Sequence, residues 1–149
     1  AGVNVNDFLL ELRKLPEQVL DAFNAAGWTY CIDFDYMGGL GKRLNMSCIG
    51  ATNYSQKTIY LSEASATLHE FGHFLDWMLG FPAEYEQLFR AEASAAPLRN
   101  YAKTDSREYF ADCFAYWVKY AENANAISLL QECAPMTYRY MEDLMRIAN

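Results

Sequence analysis

An α+β fold, with a small N-terminal mixed sheet followed by a helical half, is predicted by three features of the sequence. Large apolar residues alternate with polar ones from Trp28 to Tyr36, the period of a half-buried strand. Further on, Ala64, Leu68, Phe71, Leu75 and Met78 step by fours and threes, which draws one apolar seam along a helix. Gly and Pro fall between such runs as punctuation. The 149 residues are the common size of one compact domain, and no repeat or linker divides them, so residues 1–149 are expected to form a single domain. Three Trp, 11 Tyr and 9 Phe supply enough large side chains for a core, which excludes a disordered chain.

The elements follow in order. Asn6-Asp7 can cap a first helix through Phe8, Leu9 and Leu12, which Pro16 restarts and Gly27 stops. The strand from Trp28 to Tyr36 comes next, and Met37-Gly38-Gly39 reads as a turn. Leu44 to Ile49 is a weaker strand. Lys57-Thr58-Ile59-Tyr60-Leu61 is a further strand, too short and too polar to be central, and is expected at the edge of the sheet. The helix with the apolar seam runs from Ser62 to Leu79 and ends at Gly80. Pro82 opens another helix, which Pro97 ends. Asp105 is a candidate cap for a helix that buries Phe110, Phe114 and Trp117, and Pro135 starts the last one.

Twelve Lys and Arg against 19 Asp and Glu give a net charge of -7, the wrong sign for phosphate backbones or anionic lipid heads, so neither nucleic acid nor a membrane is an expected partner. No apolar run approaches the roughly 18 residues of a spanning helix. The chain starts at Ala1 without a basic and apolar leader, so any targeting segment is expected to have been removed. Cys31, Cys48, Cys113 and Cys133 form no CxxC pair and are expected as buried free thiols.

The seam helix also carries His69-Glu70-Phe71-Gly72-His73, an HExxH pattern that uses both histidines of the chain. One turn apart, the two imidazoles project from one face about 6 Å apart, a spacing suited to two nitrogens on one Zn2+ ion. Glu70, on the adjacent face, can take a proton from a water at the metal and pass it to a leaving amine, which is the chemistry of peptide hydrolysis. Gly72, beside His73, leaves room for another backbone to come close. A third protein ligand is then needed. The position six residues past His73 is Leu79, which excludes the three-histidine version of the pattern. Asp76 shares the histidine stripe but stands too far up the axis, and is expected as a solvated or outer carboxylate. Glu108 and Asp112 share one face of the helix after Asp105. Spacing leaves two explanations of Glu108 open, a metal ligand or the partner of Asp105 in a capping box.

Taken together, His69-Glu70-Phe71-Gly72-His73-Phe74-Leu75-Asp76 and Tyr101 to Phe114 resemble the catalytic domain of anthrax lethal factor and the secreted Pro-Pro endopeptidases. In that family an HExGHxxD stretch is followed by a Tyr and, seven residues later, by a Glu opening E-[FY]-F-A-[ED]. The resemblance covers about half of the chain. It implies a zincin-like fold and a secreted bacterial zinc endopeptidase with one Zn2+ per chain. His69, His73 and Glu108 are then the metal ligands, Glu70 the base, and Tyr101 the hydroxyl that steadies the oxyanion. Asp112 stands where the family usually has Glu, behind the metal ligands.

Two other readings compete. One is an intracellular regulatory zinc protease of mobile elements, which also joins HExxH to a Glu-bearing helix; the Tyr seven residues before Glu108 favours the lethal-factor type. The other is a catalytically inactive zincin-like binding module, against which the intact His69, Glu70, His73, Tyr101 and Glu108 argue. The expected partner is a peptide or protein substrate added as an extra strand along Lys57 to Leu61, with Ile59 and Tyr60 lining a subsite.

Overall fold

The computed structural model describes residues 4–148; residues 1–3 and 149 of the expected 1–149 domain lie outside the described residues. Helix α1 (Val5–Leu12) is capped by Asn4, two positions before the expected Asn6-Asp7, through the bond from the Asn6 amide to the Asn4 side chain. Helix α2 (Glu17–Ala25) starts after Pro16 and stops at Gly27, whose φ of +79° is one that residues with a Cβ rarely adopt. Strand β1 (Thr29–Ile32) ends earlier than the alternation suggests. The side chain of Asp33 accepts the Tyr36 amide at 2.9 Å and caps helix α3 (Phe34–Leu44). Met37-Gly38-Gly39 therefore lies within a helix and is not a turn. Three features outweigh the poor helix propensity of the glycines: the Asp33 cap, the burial of Met37, and the stacking of Tyr36 on Tyr60 with ring centroids 3.6 Å apart.

The weak strand expected at Leu44 to Ile49 is also corrected. Asn45 takes the left-handed conformation and closes α3, and the strand forms later, as β2 (Gly50–Asn53). A short turn joins it to β3 (Thr58–Leu61), where Asn53 accepts the Gln56 amide at 3.0 Å. The sheet order is β1-β3-β2, with β1 and β3 parallel and β2 and β3 antiparallel. The sheet is mixed, as expected, but Lys57 to Leu61 is its centre and not its edge. Ile59 and Leu61 are fully buried on one face, and both sides of their backbone are paired.

A 3-10 turn, Ala64–Ala66, leads into α4 (Thr67–Met78), in which every residue from Thr67 to Asp76 is buried. Then come α5 (Glu84–Glu92), α6 (Ser106–Lys119), α7 (Ala124–Cys133) and α8 (Pro135–Ala148). The fifth helix thus ends five residues before Pro97. Asp105 caps α6 as expected, and α7 is an additional helix not set apart in the sequence reading. On one side of α4, Phe71 and Phe74 pack against Phe23 and Trp28, with centroids 4.7 Å apart for Phe23 and Phe71 and 5.1 Å for Trp28 and Phe74. Phe110 and Phe114 of α6 are fully buried, whereas Trp117 is half-buried. All four cysteines are unpaired, but only Cys113 is fully buried, and the other three are half-buried.

Two contacts fix the helical half. At Gly72, a Cβ would lie 2.6 Å from the Cα and 2.8 Å from the carbonyl oxygen of Ala111, so α4 and α6 meet backbone to backbone. At the other end, the buried carboxylate of Glu92 accepts the Met136 and Thr137 amides at 2.9 and 2.7 Å and the Thr137 hydroxyl at 2.7 Å. It thereby caps the first turn of α8. The Thr137 hydroxyl also bonds Tyr109 of α6 at 2.8 Å.

Gly72→Ala is expected to lower stability by about 1–3 kcal/mol, because the surface opposite is the Ala111 backbone and has no rotamer to yield. A thermal melt checks this, and an unchanged melting temperature would show that the two helices can part without cost.

Candidate metal centre

Helices α4 and α6 place three donor groups together. The Nε2 atom of His69 is 2.9 Å from Glu108 Oε2, and that of His73 is 3.2 Å from Glu108 Oε1. The two imidazole centroids are 4.8 Å apart, and the ligating atoms of His69, His73 and Glu108 all lie within 4.8 Å of one another. Nitrogen and oxygen donors of this kind, held at the backbone by two packed helices, suit a Zn2+ ion with bonds of roughly 2.0–2.2 Å and a fourth position for water or substrate. The capping question is also answered. Asp105 accepts the Glu108 amide at 2.8 Å, but the Glu108 carboxylate does not return to Asp105 and faces the histidines.

Behind these groups, Asp112 Oδ1 accepts from His69 Nδ1 at 2.5 Å. The Arg99 guanidinium bonds both oxygens of Asp112, from Nε to Oδ2 at 2.7 Å and from Nη2 to Oδ1 at 3.0 Å. Burial opposes charge on His69, yet its bonds to Asp112 and Glu108 win and raise it to about 9. Burial would likewise raise Glu108, but the two histidines pull it down to about 2. Asp112 is held below the usual carboxylate range, since His69 and Arg99 outweigh its burial. His73 Nδ1 is buried with no hydrogen-bond partner, so that ring is oriented by packing and by Glu108.

Glu70 is buried beside this cluster, and its burial pushes its carboxyl up, against the pull of His69, His73 and a bond from Thr52. The Thr52 hydroxyl, on β2, donates to Glu70 Oε1 at 2.8 Å. Gly50, two residues earlier on the same strand, leaves space for the other oxygen: a Cβ there would lie 3.1 Å from Glu70 Oε2. Tyr101 sits in a 3-10 turn (Asn100–Lys103) before α6, with its ring centroid 5.9 Å from that of His69. Partial burial and the carboxylates of Glu108 and Glu70 push its hydroxyl up to about 12, so it remains a donor at neutral pH.

The other candidates fall outside. Asp76 is buried one turn beyond His73 and is not among the donor atoms. Burial raises it to about 6, opposed by His73 and Arg107. Ile59 is part of the core, and Tyr60 stacks on Tyr36 and bonds Gln56, so neither reaches the cluster, and a substrate strand cannot add to a strand paired on both sides. Thr52, Gly50 and Arg99 were not singled out in the sequence. Gly50-Ala51-Thr52-Asn53 has no apolar alternation to mark it as a strand, and Arg99 shares no spacing with either motif. Among the described residues, no helix is long and apolar enough to cross a membrane.

The chain is similar to known proteins. Residues 11–144 match the family described as anthrax toxin lethal factor, N- and C-terminal domain. A Pro-Pro endopeptidase of Clostridioides difficile (strain 630) is 30% identical over 83 residues, which are 53% of this chain and 36% of that protein, so the match spans about a third of the relative's length. The solved structure of the Pro-Pro endopeptidase from Paenibacillus alvei superposes with a TM-score of 0.74 at 20% identity, over 97% of this chain and 94% of the other. At that identity the likeness speaks for the fold, which is α+β and zincin-like. With the family match running from α1 to α8 and enclosing every residue of the donor cluster, the chain belongs to the anthrax toxin lethal factor family.

Proposed function

We propose that this chain is a secreted bacterial zinc-dependent endopeptidase, carried by one domain, that uses water and a glutamate base. The observation that carries the reading is the convergence of His69, His73 and Glu108, with the Glu70 carboxylate held beside them by Thr52. His69, His73 and Glu108 would hold the ion. Bound zinc supplies a Lewis acid there, polarising the scissile carbonyl and making a water acidic near pH 7. Thr52 occupies Oε1 of Glu70, which leaves Oε2 to accept the proton of the attacking water. Glu70 then delivers this proton to the amine as the peptide bond breaks. Tyr101 donates to the carbonyl oxygen as negative charge grows on it, an interaction stronger in the transition state than with bound substrate.

The edge expected to receive substrate moves from β3 to β2, the outer strand whose residues touch Glu70. An extended peptide added there would pass the base directly. The names of the two relatives make a Pro-Pro peptide the first substrate to test, within a peptide library read by mass spectrometry.

One Zn2+ per chain is expected by elemental analysis, and His73→Ala should lose it; purified protein that neither contains nor takes up zinc would overturn the reading. Glu70→Gln should keep zinc while hydrolysis falls by roughly 10²–10⁴-fold. Retained activity would remove Glu70 from the role of base. Tyr101→Phe deletes one donor, so kcat should fall by about 10²-fold, or roughly 3 kcal/mol, with KM, zinc content and melting temperature nearly unchanged. An unchanged kcat would make Tyr101 a packing residue.

A further inference from the structure

Arg99 touches both Asp112, the support of the donor cluster, and Tyr101 in the turn before α6. It stands immediately before that turn, as its N-cap residue. Its guanidinium fork meets both oxygens of Asp112, and the oxygen it shares with His69, Oδ1, is the one that faces His69 Nδ1. Its Nη2 comes within 3.4 Å of that same ring nitrogen. The guanidinium carbon is also 5.0 Å from the centroid of the Tyr101 ring, within range of a cation–π contact.

Asp112 is buried but Arg99 has 57% side-chain exposure, so solvent screens the pair and limits its contribution to global stability. Its geometry is nevertheless specific. Two parallel N–H bonds fix the plane of the Asp112 carboxylate, and that plane sets the direction in which His69 Nδ1 can bond. A ring fixed at Nδ1 presents Nε2 in one direction. Tyr101, by contrast, is 44% exposed, and its ring lies near both Arg99 and His69.

We propose that Arg99 is a positioning residue of the metal centre: through Asp112 it orients His69 for the ion, and through its cation–π contact it orients Tyr101 over the substrate carbonyl. Metal affinity and oxyanion stabilisation are thereby set by one side chain. The proposal rests on the endopeptidase reading. A lysine cannot replace it, because a single ammonium neither spans both carboxylate oxygens nor lies flat on a ring.

The test compares the full chain with Arg99→Gln and Arg99→Lys by chelator competition for Zn2+, by kcat and KM at saturating zinc, and by melting temperature. Arg99→Gln is expected to weaken zinc binding about 10-fold, at the low end for an outer partner of a metal ligand. Its kcat should also fall about 10-fold, with KM and melting temperature nearly unchanged, and Arg99→Lys should recover little of either loss. In an Asp112→Asn background the effect of Arg99→Gln on zinc affinity should shrink, and in a Tyr101→Phe background its effect on kcat should shrink. Wild-type zinc affinity and kcat in Arg99→Gln, full rescue by lysine, or losses that simply multiply in the double variants would each overturn the proposal. A wild-type chain that binds no zinc would overturn the endopeptidase reading and this proposal together, whereas a zinc-binding wild type with an indifferent Arg99→Gln overturns this proposal alone.

Discussion

The close approach of α4 and α6 at Gly72 and Ala111 is the constraint on which the rest depends. With a Cβ excluded at 2.6 Å from the Ala111 Cα, the two helices come as near as their main chains allow. Only at that separation can short donors on facing helices share one small volume. His69 and His73 lie on either side of Gly72, and Glu108 and Asp112 lie on either side of Ala111. The small residues at the crossing and the donors around it are thus a single arrangement, in which the glycine sets the distance and the polar groups use it. The aromatic core on the far side of α4, built from Phe23, Trp28, Phe71 and Phe74, holds the helix against that crossing.

Three acidic side chains meet here in a protein of net charge -7, and their surroundings set them apart. Glu108 and Asp112 each face an imidazole and stay ionised despite burial. Glu70 faces a neutral hydroxyl and a glycine, and its burial pushes it the other way. Divergent environments of this kind separate groups that hold charge from groups that exchange a proton. Burial produces the divergence at Glu70, against a Thr52 bond that works the other way, while His69, His73 and Arg99 keep Glu108 and Asp112 ionised.

Helix-borne parts of this arrangement were legible in the sequence because each lies within a few residues of its partners. His69 and His73 are one turn apart, the apolar seam marks their helix, and the Asp105 cap locates the start of the helix that carries Glu108 and Asp112. The sheet was read less well. Alternation continued past Asp33 although that residue is a cap, and the burial of Met37 and the stacking of Tyr36 overrode a glycine-rich stretch that resembles a turn. Strand β2 is formed by backbone pairing of Gly, Ala, Thr and Asn, which carry no hydrophobic pattern, and missing it made the central strand look like an edge. Thr52 and Arg99 act on residues 18 and 13 positions away through tertiary contacts that no local period encodes.

The buried carboxylate of Glu92 also ties this region to the far end of the chain. It closes the first turn of α8, and Thr137 in that turn passes a hydrogen bond to Tyr109, the neighbour of Glu108. An opening that frees α8 therefore breaks a bond to the residue next to a donor and exposes the wholly buried Tyr109 ring. In the language of amide exchange, the shared hydrogen bonds are expected to make α6 and the first turn of α8 exchange together.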